Sequence, residues 1–250
     1  MKSSPSEFQR RFYAPPAAFK DGAVLLDSEE THHLTRVLRL GLGAKVQVCD
    51  GQGRNFAAVV DGLGSGGVIL RMVEELAPWG ESPLDLTLGI GLAKGEALDA
   101  VVRQATEMGV KRILPFISER SEQVTPERAA RRHTRWQRLA QESIKSCRRS
   151  FLPRIERPQD YAAVLAGPEP LKLLFWEENL GGGLHAFLSQ PRPASVKVLI
   201  GPEGGFSSQE AAQARDAGFS VVSLGPRLLK VPTAALAALT LIQYAWGDLA

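Results

Sequence analysis

The sequence predicts an α/β protein in two parts: a small N-terminal β-barrel carrying one helix, then a mostly parallel sheet covered on both faces by helices. Three observations carry this reading. Residues 1–76 are dominated by short alternating strand patterns, and APWGESP (77–83), rich in proline and glycine, reads as a linker. From residue 84 to 250, strand-like and helix-like segments alternate, the signature of a parallel sheet with helices on both faces. Near the C-terminus, two apolar runs each end in Gly-Pro, pass through a short irregular stretch and resume as helix, in VLIGPEGGFSSQEA (198–211) and VVSLGPRLLKVPTAALAALT (221–240).

Taken in order, SEETHHLTRVLRL (28–40) is a short helix opening at Ser28 with its acidic residues first. KVQVCD (45–50) and RNFAAVV (54–60) flank Asp50-Gly51-Gln52-Gly53, a hairpin signal, and GGVILRMVEEL (66–76) supplies another strand. Beyond the linker, LDLTLGIGL (84–92) is a strand, and EALDAVVRQATEM (96–108) is a helix stopped at Gly109. VKRILPFI (110–117) is a strand, followed by a long helix from about Pro126 to Cys147. LKLLFW (171–176), SVKVLI (195–200) and FSVVSL (219–224) complete the strands. The last helix, from about Thr233 to Trp246 with Pro232 at its opening, is apolar almost all round and is expected to be buried.

Bulk properties narrow the function classes. A chain of 250 residues with 44% hydrophobic and 23% charged residues has the make-up of an ordinary globular protein. No apolar run reaches bilayer length, and MKSSPSEFQRRF lacks the apolar stretch of a secretory signal, so a cytoplasmic location is expected. Cys49 and Cys147 stand apart, and the four histidines lack metal-ligand spacing, so no metal is expected. The net charge of +3 is modest, but between Glu119 and Arg157 eleven basic residues meet five glutamates. A polyanion would be met there, by a patch.

Three features suggest chemistry. Gly201, Gly204 and Gly205 remove side chains where a ligand approaches backbone, and Ser207 with Glu210 forms a capping box that opens the next helix. Loops at strand ends of an α/β sheet are where ligands bind. GIGLAKGEALD (89–99) imitates a dinucleotide fingerprint, but Lys94 stands where its last glycine belongs; at a helix start, Lys94 suits a phosphate or is simply a solvated lysine. On the long helix, Trp136, Leu139, Ala140, Ser143, Ile144 and Cys147 define a buried seam. Arg128, Arg131, Arg135, Arg138, Lys145 and Arg149 repeat on another face, interrupted only by Glu142, and Arg148 and Arg154 extend the patch. Such a stripe fits phosphate-backbone contact better than a mixed surface helix does.

GPEGGFSSQE (201–210), LGPR (224–227) and TAALAAL (233–239) resemble the RsmE family of ribosomal RNA methyltransferases, as do KGEALDAVVRQATEMGVKRILPFISERS (94–121) and HHLTRVLRLGLG (32–43). The resemblance covers nearly the whole chain. It implies a SPOUT-class methyltransferase domain with a trefoil knot over 84–250 and a PUA-like RNA-binding barrel over 1–76. It also implies a homodimer, S-adenosylmethionine (SAM) as methyl donor, and N3-methyluridine in small-subunit (16S) ribosomal RNA as product. The implied SAM pocket comprises Leu174, Phe175 and Trp176, the loop Ile200, Gly201, Pro202, Glu203, Gly204, Gly205 and Phe206, and the loop Leu224, Gly225, Arg227, Leu228 and Leu229. Arg11, Arg36 and Arg39 match family positions expected to face RNA.

The chain departs from the family at LLKVPTA (228–234), where Lys230, Val231 and Pro232 replace Arg, Thr and Glu, and again at Lys145-Ser146-Cys147-Arg148-Arg149. Charge is kept at 230 and the carboxylate is lost at 232. A cation beside the uracil carbonyls favours the uridine anion, a part open to Arg227 or Lys230. Glu203 is the remaining carboxylate for proton removal, or else it serves only its loop. Two rival expectations follow from the departure: a SPOUT enzyme of other base or RNA specificity, or an RNA-binding protein without catalysis.

Overall fold

The structure is a computed structural model describing residues 10–64, 66–178 and 183–249, and it divides into two compact units. The first joins the chain up to Glu81 with Gln141–Leu152; the second joins Ser82–Ala140 with Pro153–Ala250.

In the first unit a six-stranded sheet runs in the order β1 (Arg11–Tyr13), β4 (Lys45–Cys49), β5 (Asn55–Gly64), β6 (Gly67–Leu76), β3 (Ala23–Leu25), β2 (Phe19–Lys20). All neighbours are antiparallel except β1 and β4. The expected β4–β5 hairpin forms because Asp50 organises its turn: Oδ1 accepts the N–H groups of Gln52 (2.7 Å) and Arg54 (3.0 Å), while Gly51 and Gly53 take positive φ. Alternate residues Val46, Val48, Ala58, Val60, Val68 and Leu70 point to one core, closed by Phe12, Val24, Leu26 and Leu34. Helix α1 (Ser28–His32) is capped by Asp27, whose Oδ1 accepts the Glu30 N–H at 2.8 Å, and a π-helical turn (His33–Val37) continues it.

Residues 141–152 join this unit through polar contacts that no periodicity announces. The Ser150 hydroxyl accepts from Asn55 Nδ2 and from the Trp79 N–H, both at 2.8 Å. Glu81 Oε1 accepts the N–H groups of Ser150 (2.7 Å) and Phe151 (3.0 Å). The expected linker 77–83 is therefore held to its own unit as far as Glu81, and the boundary falls at Ser82.

In the second unit every strand pairing is parallel. The order is β10 (Gln159–Asp160), β8 (Arg112–Ile117), β7 (Asp85–Gly91), β12 (Ser195–Ile200), β11 (Leu171–Phe175), β13 (Ser220–Val222), with β9 (Arg154–Ile155) also on β8. Central β7 and β12 are near-continuous apolar runs because both faces are covered. Gly89 is needed there: a Cβ would lie 2.2 Å from Leu199 Cδ2.

Among the helices, α2 (Ala97–Glu107) buries Leu98, Val101, Val102 and Ala105 and stops at Gly109, whose φ is +76°. Helix α3 (Pro126–Cys147) buries the predicted seam as far as Ile144, leaving Cys147 half-buried. The remaining helices are α4 (Tyr161–Leu165), α5 (His185–Leu188), α6 (Ser208–Asp216) and α7 (Val231–Trp246). Helix α7 opens with Pro232 in its first turn, and its buried Gln243 accepts from Ser82 Oγ (2.8 Å) and donates to the Met108 carbonyl. It is not buried all round as its composition suggests, for Leu241 and Tyr244 are exposed. Among the described residues no helix is long and apolar enough to cross a membrane.

Candidate active site

The carboxyl ends of β7, β11 and β12 meet two loops in the second unit. After β12, the chain turns at Gly201-Pro202, and the Gly205 N–H closes on the Pro202 carbonyl at 3.0 Å with Gly205 at φ +67°. The next helix starts as predicted: Ser207 Oγ accepts the Glu210 N–H (3.3 Å) and Glu210 Oε2 accepts the Ser207 N–H (2.9 Å). Glu210 Oε1 also accepts the Glu119 N–H (2.8 Å), and Arg120 donates to the Gly204 carbonyl (3.0 Å), so β8's following loop braces the glycine loop. Glu203 Oε1 accepts the Lys94 N–H at 2.9 Å, tying the loop after β12 to the loop after β7. A Cβ on Gly91 would lie 2.5 Å from Pro202 N, which is why glycine ends β7.

These loops and the start of α7 enclose a cavity of about 600 Å³. Its floor is Phe175, Ile200 and the backbone of Gly201, Pro202, Gly204 and Gly205; Leu228, Leu229, Lys230, Val231 and Pro232 form the opposite wall. Leu228 is 83% exposed at the rim. A mostly apolar lining with bare glycine backbone and few charges suits a small organic ligand of mixed character. It also fits the nucleoside and amino-acid halves of SAM, whose adenine and ribose can be met by backbone groups where no side chain intervenes.

Not every predicted pocket residue lines this cavity. Phe175, Ile200, Gly201, Pro202, Glu203, Gly204, Gly205, Leu228 and Leu229 do. Leu174, Trp176 and Phe206 pack instead into a core with Phe116 and Tyr161, because strand alternation turns Leu174 and Trp176 to the face opposite Phe175. The Tyr161 hydroxyl in that core is pushed above its ordinary range by burial and by the charge of Glu210. Leu224, Gly225 and Arg227 lie outside the lining, with Gly225 and Arg227 exposed. Glu177, Ala97 and Ala234 line it without having been singled out.

The basic residues separate into two groups. Arg36, Arg39, Lys94, Arg131, Arg138 and Arg148 are exposed, with Arg39 and Arg148 in left-handed backbone (φ +52° and +66°). Arg128 pairs with Glu122 at 2.8 Å, and Arg135 pairs with Asp99 (2.6 Å) and Glu96 (3.2 Å) while staying exposed. Arg11 is half-buried and donates to Asn55 Oδ1; with Arg10, His33, Glu142, Arg148 and Lys145, the last paired with Glu30, it lines a recess of the first unit. Arg149 corrects the sequence reading. It is 2% exposed and pairs with Glu81 at 3.0 Å, so it faces the interior and no phosphate. Helix α3 ends at Cys147, so helical spacing no longer governs position 149.

Comparison with known proteins agrees with this architecture. The RNA methyltransferase domain family matches residues 80–243, and the RNA methyltransferase PUA domain family matches residues 26–73. The ribosomal RNA small subunit methyltransferase E of Synechocystis is 34% identical over 237 residues, covering 93% of this chain and 77% of its own. A methyltransferase E of Neisseria gonorrhoeae, solved bound to SAM, superposes with a TM-score of 0.86 at 30% identity, covering 96% of this chain and 99% of its own. A methyltransferase of Legionella pneumophila, solved with SAM, gives a TM-score of 0.88 at 31% identity over 96% of this chain and 98% of its own. With both domains matched and relatives aligned almost end to end, the chain belongs to the ribosomal RNA small subunit methyltransferase E family of RNA methyltransferases.

Proposed function

We propose that this protein transfers the methyl group of SAM to N3 of a uridine in 16S ribosomal RNA of the small subunit. The observation that carries the proposal is the cavity itself, glycine backbone at the ends of β7 and β12 facing the start of α7, in a chain of this family. When bound, SAM supplies an electrophilic methyl on a sulfonium sulfur. The protein's own residues position the two reactants, an effect worth roughly 7–11 kcal/mol in favourable cases. Lys230, on the cavity wall, favours the anionic form of the uracil ring through charge, without the planar fork of the family's arginine. Arg227 stands outside the lining, which makes Lys230 the better candidate. Glu203 lines the cavity too, but its carboxylate is engaged by the Lys94 N–H, which favours a loop-fixing role over proton removal.

RNA would be held by Arg11, Arg36, Arg39 and Arg148 of the first unit and by Lys94, Arg128, Arg131, Arg135 and Arg138 of the second. The exposed Leu241 and Tyr244 on α7 support a homodimer, and the trefoil knot implied by the family would be tied by the two loops around the cavity. A cytoplasmic location follows from a ribosomal substrate. Pro232 on the cavity wall favours one second reading, altered specificity or lost catalysis, because a carboxylate is missing there.

The test is methyl transfer from labelled SAM to small subunits lacking N3-methyluridine, with mass-spectrometric identification of the nucleoside. N3-methyluridine at a single site is the expected result. A different methylated nucleoside gives altered specificity, and SAM binding without transfer gives a catalytically silent RNA-binding protein.

A further inference from the structure

We propose that Glu177 is the acceptor for the ribose hydroxyls of the bound methyl donor, an assignment that rests on the SAM reading of the cavity. Glu177 lies two residues beyond the end of β11 and lines the cavity. Its position is set by its neighbour: the Trp176 N–H donates to the Val222 carbonyl at 2.9 Å and the Trp176 indole N–H to the Phe206 carbonyl at 3.2 Å. From Trp176, held by these two bonds, the chain carries the Glu177 carboxylate over Gly205, with Oε1 only 2.0 Å from where a Cβ on Gly205 would stand. Any side chain at 205 would displace it, so the glycine makes room for the carboxylate as well as for the turn.

The cavity's other carboxylate, Glu203, is already engaged by the Lys94 N–H. Glu177 is exposed and makes no hydrogen bond or ion pair among the described residues, so its carboxylate presents an acceptor without a donor. Vicinal hydroxyls supply two donors to one carboxylate, the arrangement by which acidic residues near strand ends hold ribose in dinucleotide sites. A carboxylate at the sulfonium would do the opposite of catalysis. It would stabilise the charged donor more than the transition state, where that charge is spread.

Isothermal titration of the full chain tests the assignment without requiring turnover. Glu177→Ala is expected to weaken SAM and S-adenosylhomocysteine alike, by about 10–100-fold, because both carry the ribose; Glu177→Gln should lose less. The 2′-deoxy or 3′-deoxy analogue of S-adenosylhomocysteine should lose a similar factor on the wild type and nothing more on Glu177→Ala. Unchanged binding by Glu177→Ala overturns the assignment, as does a loss confined to SAM, which would place the carboxylate at the sulfonium. An equal penalty for the deoxy analogues on both proteins overturns it too. Absence of SAM binding by the wild type overturns the methyltransferase reading itself, and the two failures are thereby distinct.

Discussion

At the scale of single residues, the cavity depends on a few side chains that serve the backbone. Holding the Lys94 N–H requires only an acceptor, which Glu203 Oε1 supplies. Glu203→Gln retains that acceptor and is expected to keep turnover within about threefold of wild type, whereas Glu203→Ala frees the loop and weakens SAM binding by about 5–10-fold. Initial rates and titration calorimetry measure both. A collapse of turnover in Glu203→Gln at unchanged SAM affinity would instead make this carboxylate the proton acceptor. At this scale the capping box was legible, since Ser207 and Glu210 needed only their spacing to be recognised. Glu177 was not, although the strand reading LKLLFW ended one residue before it. Asking which polar residue follows each strand's carboxyl end would have found it. What no pattern reveals is that its carboxylate lies over Gly205, 28 residues further along the chain.

At the scale of elements, α3 shows how a charged stripe divides its work. Asp99 on α2, largely buried, accepts from Arg135 Nε (2.6 Å) and from Trp136 Nε1 (3.1 Å), pinning the two helices together. Asp99→Ala is expected to destabilise the protein by about 2–3 kcal/mol, because it strands a buried indole N–H and removes a charged partner. Urea unfolding followed by tryptophan fluorescence measures it. Arg131, exposed and without an ion pair among the described residues, has no such structural duty. Arg131→Glu should weaken binding of small-subunit RNA and lower the salt slope by about 1, leaving SAM affinity and stability unchanged. Filter binding across a salt series checks this. Periodicity could predict the stripe but not which arginines have carboxylate partners, since Glu96, Asp99 and Glu122 lie outside the helix. For Arg149 it failed outright, because Arg148 takes a left-handed φ of +66° and sends the chain off the helical path.

At the scale of the whole molecule, the parallel sheet contains one costly arrangement. Lys197 on central β12 is buried, with Nζ 3.1 Å from Glu169 Oε2, and Arg112 Nη2 lies 2.7 Å from Glu169 Oε1. Burial alone would raise the Glu169 pKa, but its backbone N–H, Lys197 and Arg112 together hold it below the ordinary 4.5. Burial, in turn, pulls the Lys197 ammonium down against the pull of Glu169. A carboxylate with a depressed folded pKa stabilises the fold above 4.5, and that contribution fades as the pH falls from there toward the folded value. Glu169→Gln is therefore expected to cost about 3 kcal/mol near pH 7 and to flatten the loss of stability below the ordinary value. Chemical denaturation over that pH range reads both effects.

The sequence by itself determined the alternation of strands and helices after residue 84, the β4–β5 hairpin, the glycine stop of α2, the capping box of α6, the proline opening of α7, and the glycine loop that forms one wall of the cavity. Each depends on neighbours a few residues apart, where spacing and turn chemistry decide the backbone. Tertiary structure alone decided the strand order, the recruitment of 141–152 to the first unit, the burial of Arg149 and the turning of Leu174, Trp176 and Phe206 away from the cavity. It also joined three of the strands by pairing alone: β1, β9 and β10, two or three residues each, exist because β4 and β8 offer them an edge. Such features rest on hydrogen bonds and close approaches between distant segments, and a one-dimensional pattern does not encode which distant partner a group will meet.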